Sequence, residues 1–329
     1  MFKNNCLYCC FAACLVLGAA PQGSAIAADA AKAYPSRPVR IVVGFPAGGN
    51  TDIISRAMAQ KLSERFGQTV IVENRPGAGS MIGTDYVAKA TADGHTLLLV
   101  SGAFSTQAAV LKKLPFDAAR DFSWITNAVV YPFAVIVKPD ARMQTIADLI
   151  GLAKKSPGKL NYGSVGIGSV LHLATELFNT QAGVDMTHIP FKGGSELVVE
   201  LIGGRIDVVF ETLTGAFPHV RAGRLRAIAV TSRERSLQLP EVPTVAQTLP
   251  GYEVTSYSGF AAPRGTPPAV IAKLNREMRA VLGEADIVRR FTDLGGTVTP
   301  TTADEFERHV ANEIAKWKKI AAAKKIEIQ

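Results

Sequence analysis

What most constrains this chain is a rhythm. Short apolar runs alternate with segments of helical periodicity, and the pattern is interrupted twice by a long extended stretch. Val39-Arg40-Ile41-Val42-Val43 ends at Gly44, and Ile53 to Phe66 then repeats apolar residues at helical spacing until Gly67 stops it. Thr69 to Val72 forms a second strand, followed by Asn74 to Gly79 and a helix through Tyr86 and Val87; Thr96 to Val100 is a third strand. Strands that are apolar on both faces and separated by helices specify a parallel sheet covered on both sides. After the extended stretch Ile125 to Val137 the rhythm restarts. It runs through a helix at Thr145–Lys155, a strand at Leu160–Tyr162, a helix from Ser169 to about Gln181 and a strand at Thr187–Ile189. A helix at Glu196–Ile202 and strands at Ile206–Phe210 and Leu225–Val230 complete it. A second extended stretch, Val254 to Ala262, leads into helices and one short strand at Thr297–Thr299.

Two doubly wound α/β units joined by two extended crossings give a definite expectation. Lobe one comprises residues 28–128 plus 257–329, and lobe two residues 129–256. The chain crosses near 125–137, returns near 254–262, and its last helices complete lobe one. Ligands of open α/β sheets sit at the carboxyl ends of the strands, so the cleft between lobes is the expected site.

The first 27 residues read as a leader rather than as fold. Lys3 precedes an almost wholly apolar run from Cys6 to Ala20, and Ala25-Ile26-Ala27 offers the small residues of a cleavage site, with the cut between Ala27 and Ala28. Its apolar core is too short to span a bilayer comfortably. Phe11-Ala12-Ala13-Cys14 is only a loose lipid-attachment box, because Leu15-Val16-Leu17 carries the apolar core beyond the cysteine. All four cysteines (Cys6, Cys9, Cys10, Cys14) fall in this segment, so the remainder has no disulfide, thiolate metal site or cysteine nucleophile. Losing Lys3 takes the formal charge from +8 to +7. The basic residues are scattered without interleaved aromatics, which argues against nucleic-acid binding.

Glycines cluster where strands end and helices begin: Gly44-Phe45-Pro46-Ala47-Gly48-Gly49-Asn50-Thr51-Asp52, Pro76-Gly77-Ala78-Gly79-Ser80, Gly163-Ser164-Val165-Gly166-Ile167-Gly168-Ser169 and Pro190-Phe191-Lys192-Gly193-Gly194-Ser195. Such loops let the backbone approach a ligand closely, and the first-turn amides behind them carry partial positive charge. An anion suits them. Asp52 either faces the ligand or caps the helix begun at Asn50-Thr51; Lys192 is a counter-charge to a carboxylate or a solvated side chain; His172 lies in the first turns after its loop. The Gly163 loop lacks the spacing and the downstream acid of a dinucleotide fingerprint, and no loop has the lysine and hydroxyl of a phosphate-binding loop. Neither a G-x-S-x-G elbow nor paired histidine spacing is present. No enzyme activity, metal, nucleotide or other cofactor is therefore expected.

From about Tyr34 onward the chain resembles the periplasmic receptors of tripartite tricarboxylate transporters, the Bug receptors. The resemblance rests on Tyr34-Pro35-Ser36-Arg37-Pro38-Val39-Arg40-Ile41, Pro46-Ala47-Gly48-Gly49-x-x-Asp52, Val72 through Gly79, Asp93-Gly94-His95-Thr96-Leu97-Leu98, Pro190 through Gly194, Gly203-Gly204-Arg205-Ile206-Asp207 and Ala262-Pro263-Arg264-Gly265-Thr266-Pro267. Phe191 stands where most members have tyrosine, and the first loop lacks the third glycine or proline common in the family. The resemblance implies a type II periplasmic-binding-protein (Venus flytrap) fold in a monomer that captures a di- or tricarboxylate, an amino acid or an aromatic acid. It implies a carboxylate held by main-chain groups and waters around Pro46–Asp52, with two integral-membrane transporter subunits as partners. The expected ligand-binding residues are Phe45, Ala47, Gly48, Gly49, Asp52, Gly79, Ser101, Thr106, Ser164, Gly168, Ser169, His172, Lys192, Gly193, Gly194, Glu211 and Thr212, with Tyr257 near the distal pocket. An acid at Glu211 would favour a ligand carrying an amine or hydroxyl. Two other classes stay open: a receptor that signals to a membrane sensor kinase, and a secreted enzyme on the same scaffold.

Overall fold

The computed structural model of the protein describes residues 34–191 and 194–326. The leader, its cleavage point and Cys14 lie outside the described residues, as do Lys192 and Gly193. The described chain opens with β1 (Val39–Val43), α1 (Asn50–Phe66), β2 (Val70–Asn74), α2 (Met81–Ala88), β3 (Thr96–Ser101) and α3 (Gly102–Val110). The long β4 (Phe122–Val137) leads to α4 (Ile146–Lys155), β5 (Asn161–Ser164), α5 (Val170–Ala182), β6 (Thr187–Pro190) and α6 (Gly194–Ile202). Then come β7 (Val208–Thr212), α7 (Leu213–Arg221), β8 (Arg226–Val230), β9 (Thr255–Pro263), α8 (Pro268–Leu282), α9 (Ala285–Asp293), β10 (Thr297–Val298) and α10 (Ala303–Lys324).

Local chemistry sets the ends of these elements. Gly67 terminates α1 in the left-handed conformation (φ 62°), which costs glycine no steric penalty. Thr145 with Asp148, and Thr302 with Glu305, form reciprocal capping boxes at the starts of α4 and α10. Sequence periodicity did not indicate α3 or α7. Helix α3 opens on Gly102 and has no apolar stripe at helical spacing, and α7 carries Pro218 inside it.

In lobe one, β1 lies parallel between β2 and β3, and β9 is antiparallel to β3 and β4. In lobe two, β5 lies parallel between β6 and β7, while β4 is antiparallel to β7 and β8. One strand therefore serves both sheets. Its residues Phe122–Pro132 pair with β9, and Phe133–Val137 pair with β7 and β8. The return crossing is equally sharp: Val254 N–H donates to Thr231 O in lobe two, and Thr255 already pairs with Pro132. Both extended stretches are thus strands that cross between lobes. They cross at 132–133 and 254–255, a few residues from the expected 128–129 and 256–257.

Alternation along the lobe-one strands splits its core in two. Ile41, Val43, Leu97, Leu99 and Phe260 pack beneath α1, α8 and α9, while Val42, Leu98, Val100 and Ala261 pack with Phe104, Trp124 and Phe306 on the other face. The last helix does not stay with lobe one. Phe306 and Val310 at its start are buried there, but Trp317, Ile320 and Ala321 near its end are buried in the lobe-two core. Lys324 continues the crossing by pairing with Glu176 of α5 at 3.0 Å. A helix of 22 residues is ~33 Å long, enough to reach across both lobes.

Candidate functional site

The carboxyl ends of β1 and β3 face those of β5 and β7, and among the contacts that join the lobes two adjoin the glycine loops. Asn50 Nδ2, in the first turn of α1, donates to Thr214 Oγ1 of α7 at 3.0 Å. At the other, a methyl group built on Gly102 would lie 3.5 Å from Val170 Cγ2 of α5. Asn50 directly follows the lobe-one glycine loop, and Val170 directly follows the lobe-two loop.

The lobe-one loop is held by Asp52. Its Oδ2 accepts from Gly48 N–H (3.0 Å) and Arg56 Nε (2.9 Å), and its Oδ1 accepts from Asn74 Nδ2 (3.0 Å). Asn74 also donates to Phe45 O at 3.0 Å, so one carboxylate fixes the loop from Phe45 to Gly49. Burial works against the Asp52 charge, but the bonds from Arg56, Gly48 and Asn74 outweigh it and hold the carboxyl below the ordinary Asp value. Asp52 is thereby spent on the loop, and the Gly48 amide is spent on Asp52. Gly48 needs its left-handed backbone (φ 87°), whereas Gly49, at φ −81°, would accept any side chain sterically. Ala47, Gly48 and Gly49 are exposed and Phe45 is half-buried. The first-turn amides of α1 have no partner within the helix. Gly79 sits behind, in a left-handed turn (φ 66°) whose carbonyl accepts from Gln107 Nε2.

The lobe-two loop is held by a ring. His172 Nδ1 accepts from Gly168 N–H at 3.0 Å, so the neutral imidazole carries its proton on the other nitrogen. His188 stacks on His172 with ring centroids 4.0 Å apart, and its Nε2 lies 2.7 Å from Ser164 Oγ. Ser169 caps α5, accepting from His172 N–H and donating to Gly166 O (2.8 Å). Burial lowers both histidines, with Glu176 opposing; the neighbouring His172 takes His188 further, to about 4.

Of the remaining expected residues, Ser101 is buried at the start of α3 without capping it. Thr106 is buried and donates to Ala103 O, and Tyr257 is buried with its hydroxyl 2.6 Å from Ser105 Oγ. Thr212 caps α7, accepting from Gly215 N–H, and Gly194 begins α6. Glu211 does not open to the cleft. Strand alternation turns it into an apolar cavity of about 10 Å³ lined by Leu197, Leu201 and Ala216. Its Oε1 accepts from Thr212 N–H and Oγ1, its Oε2 is buried without a hydrogen-bond partner, and burial raises its pKa. Sequence reasoning missed Asn50, Thr214 and His188. Asn50 was marked only as the start of a helix, which does not distinguish a capping residue from a contact. His188 had no signal, because its partners come from other elements. Among the described residues no cluster of three or more metal-ligating side chains occurs, and no helix is long and apolar enough to cross a membrane.

Comparison with known proteins places this geometry. The model of the tripartite tricarboxylate transporter family receptor matches residues 54–326. The chain is similar to BugT of Bordetella pertussis, at 35% identity over 87% of this chain and 89% of that one. It is similar to an R. palustris protein solved with adipate (35% identity, TM-score 0.81, 89% and 99% of the two chains). It is also similar to MatC of Rhodopseudomonas palustris with bound malate, at 30% identity and TM-score 0.76 over 87% and 99%.

Proposed function

The chain belongs to the tripartite tricarboxylate transporter receptor family, whose members are periplasmic solute-binding proteins and not enzymes, and from that premise we propose that it captures a small carboxylate for a membrane transporter. The observation that carries this reading is the lobe-one loop. Its side-chain acceptor, Asp52, is turned back onto the loop, so the face left to the cleft is exposed backbone at the positive end of α1. Adipate and malate in the two relatives fit such a seat. Gly48 and Gly49 leave the approach open, and the main chain of Ala47–Asn50 with bridging water takes the carboxylate. Gly168 and Ser169 close over it from lobe two. We further propose that the leader is cut between Ala27 and Ala28, that the mature chain acts as a monomer, and that its partners are two integral-membrane subunits.

A thermal-shift and calorimetric screen of the mature protein tests the reading. Carboxylic acids bind, their amides and alcohols bind far more weakly, and a chelator leaves binding unchanged. An acid at 100 times its Kd adds about 2.7 kcal/mol of stability. Amides binding as well as their acids, or loss of binding on chelation, would refute it.

A further inference from the structure

We propose that the acid has an aliphatic or aromatic body, with its carboxylate on the lobe-one loop and its apolar end against Val165 and Ile167 of lobe two. This rests on the carboxylate reading and adds the chemistry of the rest of the ligand.

The lobe-two loop turns its polar groups inward. Ser164 Oγ is taken by His188 and by the main chain of Gly166, Ser169 Oγ by Gly166 O and His172 N–H, and the Gly168 amide by His172. Its exposed side chains are apolar: Val165 is 38% and Ile167 57% accessible. They flank Gly166, where an added methyl group would meet no atom within 4 Å. The loop runs from the end of β5 to Val170, which meets Gly102 of lobe one, so these side chains stand beside the junction of the lobes. In the lobe-one loop the exposed side chains are Pro46 and Ala47, likewise without charge. A second carboxylate brought to Val165 and Ile167 would give up its hydration to side chains with no proton to offer. A hydrocarbon end instead removes apolar surface from water on both partners. At ~0.8 kcal/mol per buried CH₂, that is about fourfold in affinity per methylene.

Isothermal titration of the mature protein with hexanoate, butyrate, malate, citrate and 1-hexanol decides it. Hexanoate binds at least tenfold more tightly than malate or citrate, and shortening it to butyrate loses about tenfold. Ile167→Asn, an exposed and fold-neutral change, weakens hexanoate at least threefold. Malate or citrate binding as tightly as hexanoate, or Ile167→Asn leaving hexanoate within twofold of the parent, overturns the inference while the carboxylate reading stands. If 1-hexanol matches hexanoate, or no acid binds, the carboxylate reading itself fails and takes this one with it.

Discussion

The two cleft loops solve one problem with two different side chains. In lobe one Gly48 N–H is held by Asp52, four residues on; in lobe two Gly168 N–H is held by His172, also four residues on. The first acceptor is a carboxylate kept charged by Arg56 and Asn74, the second a neutral ring stacked on another ring. Identical geometry therefore comes with opposite electrostatics. The lobe-one clamp keeps its charge across the ordinary pH range. The lobe-two clamp works only while His172 is unprotonated, because a protonated Nδ1 cannot accept from Gly168.

The strongest way to break this comparison is steric. Gly49→Val places a side chain on the lobe-one loop without backbone strain, and carboxylate affinity by titration calorimetry drops at least a hundredfold with the melting curve intact. Binding within twofold of the parent would show that the carboxylate is not seated there. Next comes the clamp itself. Asp52→Ala leaves the Gly48 amide and Asn74 without their acceptor and costs about 1–3 kcal/mol in denaturant unfolding. Asp52→Asn costs less, and a charge contact to the ligand would instead reveal itself as a large affinity loss in that variant with little loss of stability.

Acid sharpens the contrast further. Both histidines have folded-state pKa values below 6.5, so the unfolded chain takes up protons that the folded one refuses. Their contribution is fully present above about pH 6.5 and is lost toward pH 4. Tm therefore falls by several degrees across that window, and His188→Gln flattens the decline. A parent Tm that is level from pH 7 to 4.5 would remove the claimed difference between clamps. The smallest effect belongs to the contact joining the two loops' lobes. Asn50→Ala deletes the bond to Thr214, worth about 0.5–1.5 kcal/mol, leaves Thr214 its bond to Leu294 O, and raises the radius of gyration of the ligand-free protein slightly in small-angle scattering. An unchanged radius would mean that this bond does not bias the lobes toward each other.

Much of the architecture was legible in the chain because it is written locally. Apolar runs such as Val39–Val43 announce buried strands, and Gly67, Thr145 and Ser169 mark helix ends by their own chemistry. The positions of the glycine loops followed from the same signals. What the loops' side chains do was not legible. Ser164, His172 and Asp52 have the residue types of ligand contacts, yet each is engaged by a partner inside its own lobe, and one of those partners, His188, lies 24 residues from Ser164. Glu211 shows the limit most plainly. A one-residue difference in strand phase decides whether an acid meets the cleft or the core, and nothing beside it in the sequence records that phase.

The straddling of α10 bears on how such a protein can be built and inherited. Residues 133–254 form an unbroken stretch that looks separable, yet the core they enclose is completed by Trp317 and Ile320 of α10, which the chain reaches only after it has returned to lobe one. Lobe two therefore cannot finish folding when its own stretch is complete; it must wait for α10. Recombination that exchanged only the central segment between relatives would mismatch that helix against a foreign core, so the halves of this receptor are expected to diverge together rather than to be shuffled.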